Sequence, residues 1–129
     1  MQITAKIIKD SINQNGVRIT TVELEYPRFI HSEVMTHRMF SRNSASSRAI
    51  PVAKIIEQVE TTPAMPIHWG KNQPGMQAKQ ELSGVQKEEV YESWIASAKE
   101  AASRAKIMNM TGAHKQIVNR ILEPYQIMK

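Results

Sequence analysis

The chain has 129 residues, with 17 Lys and Arg against 12 Asp and Glu, and it contains no cysteine. That length is enough for one domain with a buried core. The lack of cysteine excludes a disulfide framework, a thiolate zinc site, an iron–sulfur cluster and a cysteine nucleophile. No apolar run approaches the roughly 20 residues of a membrane helix, and the first residues lack the order of a signal peptide. We therefore expect a soluble, cytoplasmic protein without a membrane partner.

The positive charge is concentrated in one part of the chain. Residues 28–54 contribute +4 of the net charge of +5, because five basic residues in this stretch face only Glu33. Such a local excess favours an anionic partner such as a phosphate, a nucleotide or a nucleic acid. The basic residues are Arg28, Arg38, Arg42, Arg48 and Lys54.

The N-terminal residues predict a β-hairpin. Segments 2–9 and 17–26 are rich in β-branched residues and partly alternate, and the Asn15-Gly16 pair between them suits a tight turn. Pro27 is expected to end the second strand because it cannot donate a ladder hydrogen bond.

Two shorter helices and two connections are predicted next. Apolar spacing indicates a short helix over 28–39 and another over 51–60, and the serine-rich segment 41–48 between them is typical of a loop. Residues 61–84 are rich in proline and glycine, and a connection of this length is usually functional or disordered. Trp69 favours an ordered, ligand-facing segment there.

The C-terminal part predicts more helix. A long amphipathic helix is expected over 85–110, with Gly112 as its stop signal, followed by a helix over 113–122 that Pro124 ends. The fold class is therefore α+β, with one domain over 1–129. The apolar face of the last helix comprises Ile117, Val118, Ile121 and Leu122.

Hydrogen-bond donors are concentrated between Thr36 and Arg48. This stretch holds one imidazole, three guanidiniums, five hydroxyls and an amide. Arginine binds phosphate in a bidentate manner, and a serine-rich loop before a helix can add hydroxyl and backbone N–H donors. The pattern predicts a phosphate-binding loop, while composition alone fits a solvated basic loop with serine turns. Arg28 and Arg42 are interpreted as surface charge.

Two other site types fit the residues less well. His31 and His37 are six residues apart and fall on different faces of a helix, so we expect no metal site. A nucleic-acid-binding module would use residues 28–54 and show steep salt dependence. Only Phe29 and Phe40 are aromatic there, so we do not expect a nucleic-acid partner.

One motif in this stretch points to a known family. His37-Arg38 is followed by seven residues and then Ser46, with Asn43 inside the gap and Arg48 two positions after the serine. The pattern resembles the signature of the flavin-dependent thymidylate synthases, also called thymidylate synthase complementing proteins.

A second block strengthens the resemblance. Residues 114–124 are similar to the helix in which the family places a nucleotide-binding arginine shortly before a proline, and Arg120 is the match. Segments 25–31 and 68–75 resemble a divergent, phage-associated branch, which implies the cytoplasm of a bacterium or of a phage-infected host. Members of the family run well beyond the second block. We therefore expect a C-terminally truncated domain with part of the family's fold.

The resemblance implies an activity. Family members methylate dUMP to dTMP with methylenetetrahydrofolate as carbon donor, NADPH as hydride donor and FAD as carrier, and they need no enzymatic cysteine nucleophile. In such chemistry the protein mainly positions the cofactor and substrate. The family is tetrameric, so a homo-oligomer is implied. A catalytically inactive remnant is the alternative within this family.

The resemblance also implies roles for single residues. Thr36 stands where most members have arginine, and Ser44 stands where many have glutamate. No residue is assigned as a catalytic group. The implied FAD contacts are His37, Arg38, Thr36 and Ser44, and the implied dUMP contacts are Ser46, Arg48, Glu33 and Arg120, the last reaching the nucleotide of a neighbouring subunit.

Overall fold

A β-hairpin opens the fold, as predicted, in a computed structural model that describes residues 3–46 and 48–129. Strand β1 (Thr4–Ile12) pairs antiparallel with strand β2 (Arg18–Pro27), and the register shifts between Ile7 and Lys9 at a bulge. In this hairpin most side chains of both strands are exposed, so the hairpin lies largely outside the core.

The hairpin turn is stabilised by one side chain. The Asn13 side-chain oxygen accepts hydrogen bonds from the backbone N–H groups of Asn15 and Val17, both at 2.9 Å. Gly16 adopts a φ of 82°, which glycine tolerates because it has no Cβ. The Asn-Gly signal in the sequence thus predicts the turn correctly.

A short third strand extends the sheet. Strand β3 (Ile127–Met128) pairs antiparallel with the end of β2, giving the strand order β1-β2-β3. Pro27 is the last residue of β2 and pairs with Ile127, so the strand ends where the sequence predicts. Strand β3 is not predictable from the sequence, because two residues are too few to show an alternating pattern.

The first helix is shorter than predicted. After a 3₁₀ turn (Arg28–Ile30), helix α1 spans only His31–Met35, not 28–39. The hydroxyl and the backbone N–H of Thr36 both donate to the carbonyl of Glu33, at 2.6 and 3.2 Å, and this i→i+3 closure tightens the end of the helix. Helix α2 (Val52–Thr61) matches its predicted position to within one residue.

The long helix is confirmed. Helix α3 (Gly84–Thr111) has 28 residues, and Gly112 follows it in the left-handed conformation with a φ of 99°. The N–H of Gly112 donates to Asn109 and that of Ala113 to Met108, which satisfies carbonyls at the helix end. Among the described residues, no helix is long and apolar enough to cross a membrane.

The predicted helix over 113–122 is wrong in its second half. Helix α4 spans only Lys115–Val118, and a 3₁₀ segment (Asn119–Tyr125) continues from it. Pro124 lies inside that segment and does not end it, and the segment closes with the Gln126 N–H donating to the Glu123 carbonyl at 3.2 Å.

The change from α to 3₁₀ geometry alters which side chains are buried. A 3₁₀ helix has three residues per turn, so side chains rotate away from the positions that an α-helical pattern predicts. In the 3₁₀ segment Leu122 is fully buried as expected, but Ile121 is exposed; in α4, before the change of geometry, Val118 is fully buried and Ile117 is exposed. Asn119, which the apolar pattern did not include, is fully buried.

The core lies between the helices and the 3₁₀ segment. Helix α2 contributes branched side chains, and α3 contributes alanines at positions i, i+4 and i+7, whose small size permits close approach of the two helices. This part of the apolar stripe predicted for α3 is fully buried. The core residues are Val52, Ile55, Ile56, Val59, Ala98, Ala102, Ala105, Val118 and Leu122.

Candidate functional site

The predicted phosphate-binding stretch forms an exposed loop between α1 and α2. We call it the basic loop, and its described residues are 36–46 and 48–50. Every one of these residues is exposed except Ile50, which packs against the core. The loop carries six of the sequence-predicted contacts on the protein surface: Thr36, His37, Arg38, Ser44, Ser46 and Arg48.

The start of the basic loop is fixed by an arginine. The guanidinium of Arg42 donates to the carbonyl of Met35 at the end of α1, and it lies 3.4 Å from the carbonyl of His37. A cation at this end of a helix also interacts favourably with its unpaired carbonyls. Arg42 is therefore exposed, as its interpretation as surface charge expects, and its guanidinium also joins the loop to the end of α1.

The end of the basic loop contains a serine turn. The Ser46 hydroxyl accepts from the Arg48 backbone N–H at 3.2 Å, and the Ser46 carbonyl accepts from the Ala49 N–H at 2.9 Å. The Ile50 carbonyl accepts from the side-chain amide of Asn119 at 3.1 Å. The serine turn and the predicted ligand contacts thus occur in the same loop, so the two sequence interpretations do not exclude each other.

Two guanidiniums of the basic loop are available for a ligand. Arg38 and Arg48 are exposed, and neither side chain makes a hydrogen bond or ion pair with any residue that the structure describes. The His37 ring lies 6.3 Å from the Phe40 ring, centroid to centroid, with both side chains exposed. The loop therefore presents unpaired cations beside an aromatic surface.

Glu33, just before the basic loop, and Thr36, at its start, already have hydrogen-bond partners. The Glu33 carboxylate accepts from the Ser32 hydroxyl at 3.0 Å and borders an open groove of about 900 Å³, whose other wall is formed by residues 73–79. The Thr36 hydroxyl donates to the Glu33 carbonyl, so its proton is used in a hydrogen bond at the end of α1. Of the predicted contacts, Thr36 is thus the least available.

Arg120 projects from the 3₁₀ segment. Its side chain is 62% exposed, and its guanidinium lies 3.8 Å from the Glu123 carboxylate. The same carboxylate lies 3.7 Å from the guanidinium of Arg28, which also donates to the Gln126 side chain at 3.3 Å. Arg28 therefore joins the start of α1 to the 3₁₀ segment, and its interpretation as plain surface charge is wrong.

The long connection between α2 and α3 is anchored to the fold by a buried tryptophan. Trp69 is 8% exposed and makes edge contacts with the rings of Tyr91 and Trp94, at centroid distances of 5.7 and 6.0 Å. The Trp94 indole N–H donates to the carbonyl of Ala64 at 2.9 Å. Trp69 is thus a core group, and the prediction that it faces a ligand is wrong.

Glu81 closes this connection at its C-terminal end. Its carboxylate lies 3.0 Å from the Lys87 ammonium and accepts from the backbone N–H of Trp69 at 3.3 Å. The Lys87 hydrogen bond, aided by the Trp69 N–H, lowers the pKa of Glu81 from its ordinary value of 4.5. The His68 ring lies 3.9 Å away and contributes less.

No three His, Asp or Glu side chains converge into a metal-binding group anywhere in 3–46 or 48–129. The arrangement of guanidiniums and hydroxyls around the basic loop suits an anion.

Sequence reasoning missed one residue near this site. Asn119 is fully buried, and its amide reaches the basic loop across 69 positions of sequence. The only available signal was a polar residue between the apolar positions Val118 and Leu122, where a buried amide requires a hydrogen-bond partner.

Comparisons of the chain with protein-family models, with curated proteins and with solved structures find no match.

Proposed function

We propose that this chain is part of a flavin-dependent thymidylate synthase, which methylates dUMP to dTMP with methylenetetrahydrofolate, NADPH and FAD. The observation that carries the proposal is the His37-Arg38-x7-Ser46-x-Arg48 spacing in a loop whose two signature arginines are exposed. An arginine without a carboxylate partner keeps its donors for a ligand. The α+β arrangement is then part of the thymidylate synthase complementing protein fold.

The proposed dUMP contacts follow from hydrogen-bond chemistry. The Arg48 guanidinium binds the phosphate with two parallel N–H donors, which is the geometry that suits phosphate oxygens. The Ser46 hydroxyl accepts from the Arg48 backbone N–H, and its own proton can still be donated to the nucleotide. Glu33 is the proposed further contact, because its carboxylate can accept from a base N–H or a sugar hydroxyl.

The proposed FAD contacts are His37 and Arg38, with Thr36 and Ser44 as secondary ones. The chain offers a fit for this cofactor, because an unpaired guanidinium can hold a pyrophosphate and the exposed rings of His37 and Phe40 can adjoin an aromatic system. When bound, FAD supplies the redox chemistry, while these residues bind and orient it.

Arg120 is proposed to reach the dUMP of a neighbouring subunit in a homotetramer. In support, its guanidinium is exposed, and its contact with Glu123 at 3.8 Å is a surface ion pair that a phosphate can replace. An assembly would also bury apolar side chains of the hairpin, such as Ile7 and Val22, which are 60% and 45% exposed in one chain.

Titration calorimetry with dUMP, in the presence of FAD, tests the proposal. Arg48→Ala is expected to weaken dUMP binding by about 1.5–3 kcal/mol, roughly 10- to 150-fold, because it removes a charge-assisted phosphate contact. Arg104→Ala is the control, since it removes the same charge from an exposed position on α3.

Three results would contradict the proposal. They are the absence of dUMP binding by the unmodified chain, equal affinities for Arg48→Ala and the unmodified chain, and equal losses in both variants. Duplex DNA is titrated in parallel over a salt series. Binding of DNA but not dUMP, with a steep salt dependence, would favour a nucleic-acid-binding module instead.

A further inference from the structure

The two ends of the basic loop are held by different means. At the start, the exposed Arg42 side chain contacts carbonyls of α1 and of the loop itself. At the end, the contact comes from another part of the fold, because the Asn119 amide donates to the Ile50 carbonyl at 3.1 Å. Ile50 also packs against the hydrophobic core, so this end of the loop has both a polar and an apolar attachment.

Asn119 is itself fixed in place. It is fully buried between Val118 and Leu122, which are also fully buried. Its backbone carbonyl accepts from the Gln126 side-chain amide at 3.3 Å, and Gln126 is only 3% exposed. A buried amide that loses its hydrogen-bond partner destabilises the fold. The bond from Asn119 therefore favours one position of the Ile50 carbonyl.

The position of this contact bears on Arg48. Ile50 is two residues after Arg48, and the intervening Ala49 N–H is bonded to the Ser46 carbonyl. The hydrogen bonds at Ser46, Ala49 and Ile50 therefore determine where the backbone of Arg48 lies. Without the contact at Ile50, the serine turn would remain, but this end of the loop would lose its hydrogen bond to the buried Asn119.

We propose that Asn119 is a positioning residue, which holds the end of the basic loop so that Arg48 is presented to the anionic ligand in a pre-organised conformation. The consequence for affinity rests on the proposed dUMP site, whereas the loop attachment does not. Pre-organisation raises affinity because the loop is already ordered before the ligand binds, so binding does not carry the entropy cost of ordering it.

Asn119→Leu, compared with Val118→Ala, tests this role. Leucine is close to asparagine in size but cannot donate, while Val118→Ala removes core packing at the adjacent residue and leaves the amide in place. Amide hydrogen exchange is measured at residues 48–50, together with the melting temperature and the dUMP affinity. Asn119→Ser, which is smaller and cannot overpack the site, replaces Asn119→Leu if the leucine variant does not fold.

The proposal expects faster exchange at residues 48–50 in the Asn119 variant than in Val118→Ala at matched stability. It also expects a dUMP affinity about 5- to 30-fold lower, the equivalent of ordering one backbone residue. Equal exchange in the two variants would overturn the positioning role. Faster exchange with unchanged dUMP affinity would overturn its consequence for binding.

Failure of the proposed function gives a different result. If the unmodified chain does not bind dUMP, the nucleotide site is wrong, and the exchange comparison still decides whether Asn119 holds the loop. If the unmodified chain binds dUMP and Arg48→Ala weakens it, the nucleotide site stands regardless of the Asn119 result.

Discussion

Two long connections of this chain differ in how their side chains are used. The connection between α2 and α3 places Trp69 in an aromatic cluster with Tyr91 and Trp94 and joins its two arms by backbone hydrogen bonds. The basic loop places nearly all its side chains in solvent and is attached mainly through Arg42 and Ile50. The first connection is thus anchored by a buried aromatic side chain, whereas the second is attached near its ends and leaves Arg38 and Arg48 without a partner among the described residues.

The difference indicates where a ligand can bind. Side chains that already pack or pair in the fold would have to lose those contacts to bind a ligand, whereas Arg38 and Arg48 make none with the described residues. Loops that carry binding residues are commonly attached to a rigid scaffold and exposed between the attachments. The basic loop has this arrangement, and its guanidiniums of Arg38 and Arg48 have no partner among the described residues.

The largest expected effect is the loss of an aromatic core residue. Trp69→Ala should destabilise the fold by about 3–5 kcal/mol, the usual cost of removing a buried tryptophan. Urea unfolding measures this change. The control is Met76→Ala in the same connection, which should have no effect because Met76 is fully exposed. Equal midpoints for Trp69→Ala and the unmodified chain would show that Trp69 does not anchor the connection to the fold.

A smaller effect should separate the two kinds of arginine in the basic loop. Arg42→Ala should lower the melting temperature by about 3 °C, because it removes the contacts to the Met35 and His37 carbonyls. Arg38→Ala should leave the melting temperature unchanged, since its side chain has no partner among the described residues. Thermal unfolding followed by circular dichroism compares them, and a larger loss in Arg38→Ala would reverse the assignment.

The smallest expected effect is a pH dependence from Glu81. Since the folded state lowers the pKa of this carboxyl, its contribution to stability is present above about pH 4.5 and is lost as the pH falls through the lowered value. Tryptophan fluorescence during urea unfolding follows this change, because Trp69 and Trp94 both lie in the cluster.

Glu81→Gln supplies the comparison for that titration. Its stability should fall less steeply below pH 4.5 than that of the unmodified chain, because the glutamine has no charge to lose. If the free energy of unfolding falls equally in the two proteins below pH 4.5, the Lys87–Glu81 pair does not contribute to closing the connection.

The sequence predicts some parts of this fold well, for physical reasons. The hairpin and α3 follow from local signals, namely the Asn-Gly turn, a long apolar period and Gly112 at the helix end. The ends of α1 and α4 were wrong because they depend on 3₁₀ closure at Thr36 and Asn119, which has no strong local signature.

The candidate site was predictable only in its residue types. The spacing from His37 to Arg48 identifies the donors, and composition places them in a loop. The roles of Arg42 and Asn119 were not predictable, because each depends on a carbonyl that the fold brings into reach. The core position of Trp69 was missed because a proline- and glycine-rich connection has no periodicity from which burial can be inferred.

Hydrogen exchange with and without dUMP tests the central claim most directly, since it observes both connections in one experiment. In the presence of FAD, dUMP should slow exchange in the basic loop and leave the connection between α2 and α3 unchanged. Protection at residues 36–50 that is lost in Arg48→Ala and kept in Arg104→Ala is the predicted result. No protection in the basic loop at saturating dUMP, or protection confined to residues 62–83, would contradict the account.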